Sequence, residues 1–220
     1  MKIRFSNAIS NYRTNFKSNF WIIIYIIAIL TVGTLTFIGN TDINNWFLEN
    51  VLTFLALIFL IFSFKKYQFS DLSYLLICFF LCLHLYGSQY TYAENPFGYW
   101  LQDIFNTSRN HYDRIVHFSF GFLLAYPMRE FFLRWMKFPK MLAWWLPIEI
   151  VLSLSGLYEL VEWAVADILF PEQGAAYLGT QGDIWDAQKD MFLAFSGSIL
   201  ATTIVSTIKH TFKIYENESI

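Results

Sequence analysis

Charge is scarce in this chain. Asp, Glu, Lys and Arg make up 15% of its 220 residues, where a soluble domain carries about 25%. Basic residues are not in excess, and the formal net charge of −2 excludes a nucleic-acid binder. Cysteine is almost absent. Cys78 and Cys82, four apart within an apolar run, are read as reduced packing residues. They supply neither a disulfide framework nor a thiolate metal site. There is no internal repeat and no low-complexity tract. What the chain has in quantity is apolar surface: 56% hydrophobic and 20% aromatic residues, with a mean hydropathy of +0.41. The apolar residues fall in long runs, which is the signature of a membrane protein.

Six such runs lie near 20–39, 46–64, 72–93, 114–134, 142–168 and 187–208. Each is close to the ~20 residues that cross a bilayer as a helix. The expected fold is therefore all-α, a polytopic six-transmembrane-helix bundle forming one membrane domain over 20–208. Residues 1–19 carry Lys2, Arg4, Arg13 and Lys17, with Phe5, Ile9, Tyr12 and Phe16 at helical spacing. They read as an amphipathic leader on the cytoplasmic membrane surface. Residues 209–220 read as a cytoplasmic tail. Pro127 should kink the fourth run.

Orientation follows from Lys and Arg. Segments 1–19, 65–70, 129–141 and 209–220 hold four, two, four and two of them. The alternate segments 40–50, 94–114 and 171–190 hold zero, two and one. Twelve against three places both termini in the cytoplasm. Of the two long outer loops, the first contains Pro96 to Phe105. Phe97, Leu101 and Ile104/Phe105 share a face there, which predicts a short helix in the outer interface. The second, 171–185, carries Gly174, Gly179 and Gly182 and predicts a tight, irregular cap.

Polar residues gather beside these loops. The fourth run opens with His111, Asp113, Arg114 and His117; the fifth holds Glu159 and Glu162; the sixth follows Asp183, Asp186 and Asp190. Helical rise places His117, Glu162 and Asp190 at similar depth in the outer leaflet, with Glu159 one turn deeper. Asp183 with Asp186, and Asn110 with Asp113, can also serve as helix caps. Glu49 and His84 stand alone and are read as structural. Capping does not account for Glu159, Glu162 or Asp190. An ionised acid at a helix centre costs roughly 2.5–3.5 kcal/mol even on the lenient insertion scale. Six carboxylates against Arg114 and Lys189 leave an excess of about four negative charges. Either protons are shared or a cation is held.

Several stretches carry a family pattern: Tyr90 to Glu94, Arg109 to Arg114 with His117, Tyr158 to Trp163, and Gly179 to Asp183 with Asp190 and Met191. The chain resembles the YjdF-like family of bacterial inner-membrane proteins over about residues 20–208, and is distantly similar to VanZ-like envelope proteins. The resemblance implies a multi-pass protein of the bacterial inner membrane in which this cluster matters; it implies no reaction. The chain departs from the pattern at Gln89, where a His often stands, and so loses a ligand candidate there.

Three functions stay open. One is a membrane enzyme or metal protein acting at the outer face on a lipid or cell-envelope precursor. Its ligand candidates are His117, Glu159, Glu162, Asp190, Asp186 and Asp113, with Asp183, Arg114 and His111 at the mouth. A His with carboxylates and no thiolate suits Zn, Mn, Fe or Mg. The second is a proton- or cation-coupled transporter. The third is a non-catalytic structural or partner-binding envelope protein whose polar cluster only locks helices together.

Overall fold

The computed structural model describes residues 19–169 and 180–211. They form eight α-helices and one π-helical stretch, with no strand among the described residues. In chain order these are α1 (Phe20–Ile38), α2 (Ile43–Glu49), α3 (Val51–Phe64), α4 (Asp71–Ser88), α5 (Pro96–Phe105), α6 (Tyr112–Arg134), α7 (Lys140–Trp163) and α8 (Asp186–Thr211). The π-helical stretch, Ala164–Leu169, continues α7. The leader, most of the second outer loop including Gly174 and Gly179, and most of the C-terminal tail lie outside the described residues.

Polar side chains set the helix starts. Asn19 accepts the Ile22 N–H at the head of α1, and Asp42 accepts the Asn44 and Asn45 N–H groups at α2. Ser70 caps α4, and Asn95 caps α5 ahead of Pro96 at its first position. Each such cap is worth ~1 kcal/mol. Between them the sequence is apolar for most of each helix, and large hydrophobics stay exposed along α1, α3 and α8. In water that would be a fault; facing lipid it is the expected surface.

Four described helices are long and apolar enough to cross a membrane: α1, α4, α7 with its π-helical end, and α8. The bent pair α2 and α3 makes up to five. The second apolar run is thus broken at Asn50, where the axis turns by 45°. The third run ends earlier than its hydropathy suggests. After Ser88 the chain turns through Thr91 and Tyr92, both at positive φ. α6 has 23 residues and runs on through Pro127, but it carries Asp113, Arg114, Arg129, Glu130 and Arg134, so hydropathy alone does not mark it as a span. It occupies the middle of the fold, against α4, α7 and α8.

The tightest packing is between α6 and α8. A Cβ on Gly121 would land on the Ala194 carbonyl, and one on Gly197 would land on the Phe118 carbonyl and the Phe122 nitrogen. The backbones touch, as small residues allow in lipid, where dispersion rather than water exclusion holds helices together. Ala125, Ala194 and Ser198 are almost fully buried along this seam. Later residues of α6 meet later residues of α8, so the two run parallel. Away from the polar cluster, Glu130 ties α6 to the start of α4 by accepting from the Ser70 N–H (2.8 Å) and hydroxyl (2.7 Å) and from the Ser73 hydroxyl.

Because both glycines face backbone, Gly197→Leu and Gly121→Leu should each lower stability by about 3 kcal/mol or more. Ile199→Leu, on an exposed position, should cost under about 1 kcal/mol. Thermal melts in detergent check this, and equal melting of the glycine and Ile199 variants would contradict the seam.

Candidate functional site

The parallel seam fixes what lies one turn beyond it. His117 precedes Gly121 by four residues, and Asp190 precedes Ala194 by four, so the seam that joins Gly121 to Ala194 sets His117 opposite Asp190. Asp113, a turn earlier on α6, completes the group. Donor atoms of Asp113, His117 and Asp190 all lie within 4.8 Å of one another. The His117 Nε2 is 3.5 Å from Asp113 Oδ1 and 3.6 Å from Glu159 Oε1 on α7. His117 is 9% exposed and Asp190 2%. The Oδ1 of Asp190 and the Oε1 of Glu159 are buried with no hydrogen-bond partner. Buried acceptors without donors are rare in folded proteins and ask for an occupant.

α7 contributes Glu159 to His117, whereas Glu162 sits beside Glu159 and Tyr158. Glu162 lies at the end of α7, where the chain passes into the π-helical stretch 164–169, so an α-helical rise and phase carried back from the outer loop do not hold there. The Tyr158 ring lies edge-on to His117 with centroids 6.0 Å apart. Its hydroxyl donates to Glu49 Oε2 at 2.8 Å, which brings the α2–α3 break against the cluster. His84 Nε2 lies 3.2 Å from the Glu49 carbonyl, and His84 Nδ1 pairs with the Tyr92 hydroxyl. Glu49 and His84 therefore do not stand alone.

The mouth of the site is an ion-pair lattice. Arg109 Nη2 lies 2.6 Å from Asp186 Oδ1 and 2.8 Å from its Oδ2. Both side chains are buried. Arg109 also donates to the Thr180 carbonyl. Arg114 reaches Asp183 and, at 3.4 Å, Asp186; Lys189 adds a second cation on Asp183 at 2.6 Å. Lys189 and the Trp185 N–H, with Arg114, hold the Asp183 carboxyl well below the usual carboxylate range. Burial, with Arg114 and Arg109 nearby, pushes His111 below the usual imidazole value. Asp183 accepts the Trp185 N–H and α8 begins at Asp186, so Asp183 forms a turn ahead of the helix rather than a capping box with Asp186.

The segments ahead of α6 and of α8 are joined through Asn110 and Gln181. The Gln181 amide accepts from the Asn110 N–H (2.9 Å) and donates to its carbonyl (3.1 Å). Asn110 also donates to the Asn95 carbonyl and accepts the Tyr112 N–H. Gly98 leaves room for it, since a Cβ there would strike the Asn110 amide. Gln89 is spent elsewhere, donating to the Gly39 carbonyl at the α1–α2 turn.

Arg109 is the residue that spacing did not place in the site; it stands three residues ahead of the α6 start, and only the fold returns it to Asp186. Including it, six carboxylates face three cations, an excess of three negative charges. That excess lies inward, on Asp113, Glu159, Glu162 and Asp190 with His117. A His/Asp group of this kind is suited to a divalent ion.

Comparison with known proteins agrees with this architecture. The family described as "Predicted membrane protein (DUF2238)" matches residues 20–211. The chain belongs to this family. It is 38% identical over 173 residues to the inner membrane protein YjdF of Escherichia coli (strain K12), covering 77% of this chain and 80% of that one. No solved structure matches. The protein is thus a multi-pass protein of the bacterial inner membrane.

Breaking the mouth lattice has a predictable sign. Arg109→Met should destabilise by about 3–5 kcal/mol, because Asp186 is left buried with its charge uncompensated. Arg109→Met combined with Asp186→Leu should recover most of that loss. Denaturation of the four members of this cycle in detergent checks it, and additive losses would refute the pairing.

Proposed function

We propose that this protein binds a divalent metal ion at the extracytoplasmic face of the inner membrane and uses it on a phosphate-bearing lipid or envelope precursor. The observation that carries the reading is Asp190. It is 2% exposed, its Oδ1 has no partner, and it shares a 4.8 Å sphere with the donor atoms of Asp113 and His117. A proton could quiet one acid. It leaves the other inner carboxylates and the imidazole facing one another inside a low-dielectric surround, where like charges repel most strongly. An ion with two positive charges offsets most of the local excess at once.

Asp113, His117 and Asp190 would hold the ion, with Glu159 in reach. When bound it supplies Lewis acidity toward a phosphoryl or carbonyl oxygen and lowers the pKa of a water. The rest is the work of the chain itself. Glu159 and Glu162 provide a carboxylate for proton transfer. Arg109 and Arg114 hold the mouth acids, so those do not repel an incoming anionic headgroup. Tyr158 bears on His117 and limits its ring orientation.

The topology that goes with this reading is six spans: α1, the α2–α3 pair, α4, α6, α7 and α8. Both termini are cytoplasmic, with the leader and tail on that side. α6 counts as a span because its charged residues lie near its two ends, leaving Ile115 to Met128 between them with His117 as the one polar group of consequence. The twelve-to-three split of basic residues supports the orientation. A cysteine at the exposed Asn106, in a protein lacking Cys78 and Cys82, should react with an impermeant thiol reagent on intact cells, and one at Lys66 should not. The reverse pattern would put the cluster in the cytoplasm.

For the metal, purified wild-type protein should carry about one equivalent of divalent ion, and chelator should lower its melting temperature. Asp190→Asn should bind none, stay folded and ignore chelator. Wild-type protein that is metal-free and melts identically with and without chelator would leave the polar cluster as a lock between helices. That second reading has its own support in the buried Arg109–Asp186 pair.

A further inference from the structure

The divalent reading leaves one buried acid without a task. Glu49 is the last residue of α2 and is 4% exposed. No Lys, Arg or His pairs with its carboxylate among the described residues. An ionised acid beside an apolar span is costly. A neutral side chain could fill the same space at less cost, so the carboxylate needs a reason of its own. Contacts from α4 fix the backbone around it. His84 Nε2 lies 3.2 Å from the Glu49 carbonyl. A carbonyl only accepts, so that nitrogen carries a hydrogen. The buried Asn50 amide donates to the Trp46 carbonyl (2.8 Å) and to the Ser88 hydroxyl (2.8 Å). With its backbone held against α4, Glu49 presents its carboxylate to α7, where Oε2 accepts the Tyr158 hydroxyl at 2.8 Å.

Tyr158 carries that contact into the site. Its ring meets the His117 ring edge-on, with centroids 6.0 Å apart. It directly precedes Glu159, whose Oε1 is 3.6 Å from His117 Nε2, and Glu162 lies beside it. A phenol ring held by packing alone can turn about its side-chain torsions. A hydrogen bond at its far end stops that, and a charged acceptor makes the bond about twice as strong as a neutral one. We propose that Glu49 is a positioning residue of the metal site. Through Tyr158 it holds the His117 ring in the orientation that sets Nε2 3.5 Å from Asp113 Oδ1. The assignment rests on the divalent reading of that cluster. It gives α2 a part in a site whose ligands all stand on α6 and α8. Partners one step behind a metal ligand act on affinity, and their loss costs about 10–100-fold.

The experiment strips the full-length protein in detergent with EDTA, removes the chelator and titrates with Co²⁺, whose visible spectrum reports ligand geometry. Tyr158→Phe keeps the ring and loses the hydroxyl. Glu49→Leu loses the acceptor, and Glu49→Gln keeps a neutral one. Tyr158→Phe and Glu49→Leu should each weaken Co²⁺ binding about 10–100-fold and change its spectrum. The double variant should lose no more than either alone, because the two residues act in series. Glu49→Gln should recover part of the loss. It removes a buried charge, so in EDTA it should melt no lower than wild type, which separates weaker binding from unfolding. Tyr158→Phe with wild-type affinity and spectrum, or losses from Tyr158→Phe and Glu49→Leu that add, would overturn the role of Glu49 and leave the metal site standing. Wild-type protein that takes up no Co²⁺ would bring down the divalent reading and this assignment with it.

Discussion

The contact on which the rest depends is the backbone-to-backbone approach of α6 and α8. Gly121 and Gly197 let the two helices touch without intervening side chains. Because they run parallel, the contact also sets a register. Residues 73 apart in sequence face one another: Asp113 with Asp186, His117 with Asp190, Gly121 with Ala194. One small-residue seam therefore decides the polar chemistry a turn or two away. Had the helices been spaced by leucines, His117 and Asp190 would lie several ångströms further apart.

Charge is then distributed by depth. Near water, the acids are answered by arginine and lysine: Asp186 by Arg109, Asp183 by Arg114 and Lys189. Further in, among the described residues, no Lys or Arg forms an ion pair with Asp113, Glu159, Asp190 or Glu49, and His117 lies beside the first two. The molecule keeps its cations at the rim, where solvent lowers the cost of a pair, and its acids inside, where each has to be protonated or matched by a mobile ion. Such an arrangement is costly as architecture and useful for binding.

Much of this was legible in the sequence because the signals were local. The apolar runs became helices, and Pro96 to Phe105 formed its short helix behind Asn95. The acid cluster could be located because an acid in an apolar run is conspicuous. Other features were hidden for physical reasons. Residues 46–64 read as one run, since the break at Asn50 is stabilised by Ser88 on another helix. That Glu159, of the two glutamates named, lies against His117 depends on helix phase near a π-helical segment that hydropathy does not reveal. Arg109 sits in a loop, and its partner is 77 residues away. Glu49 looked solitary because Tyr158, on a helix 109 residues further on, is its neighbour only in space.

α6 has one more consequence, and it concerns how the protein is made. With Asp113 and Arg114 at one end and Arg129, Glu130 and Arg134 at the other, it is the least lipid-compatible of the long helices, yet it lies at the centre. Its neighbours α4, α7 and α8 give it the surroundings that its own side chains would not find in lipid. Two of those three are synthesised after it. During biogenesis α6 therefore leaves the ribosome before the partners that make its place tenable. On the six-span reading proposed above, its residence in the membrane is a property of the assembled bundle, acquired late, when α8 brings Asp190 to His117 and closes the seam.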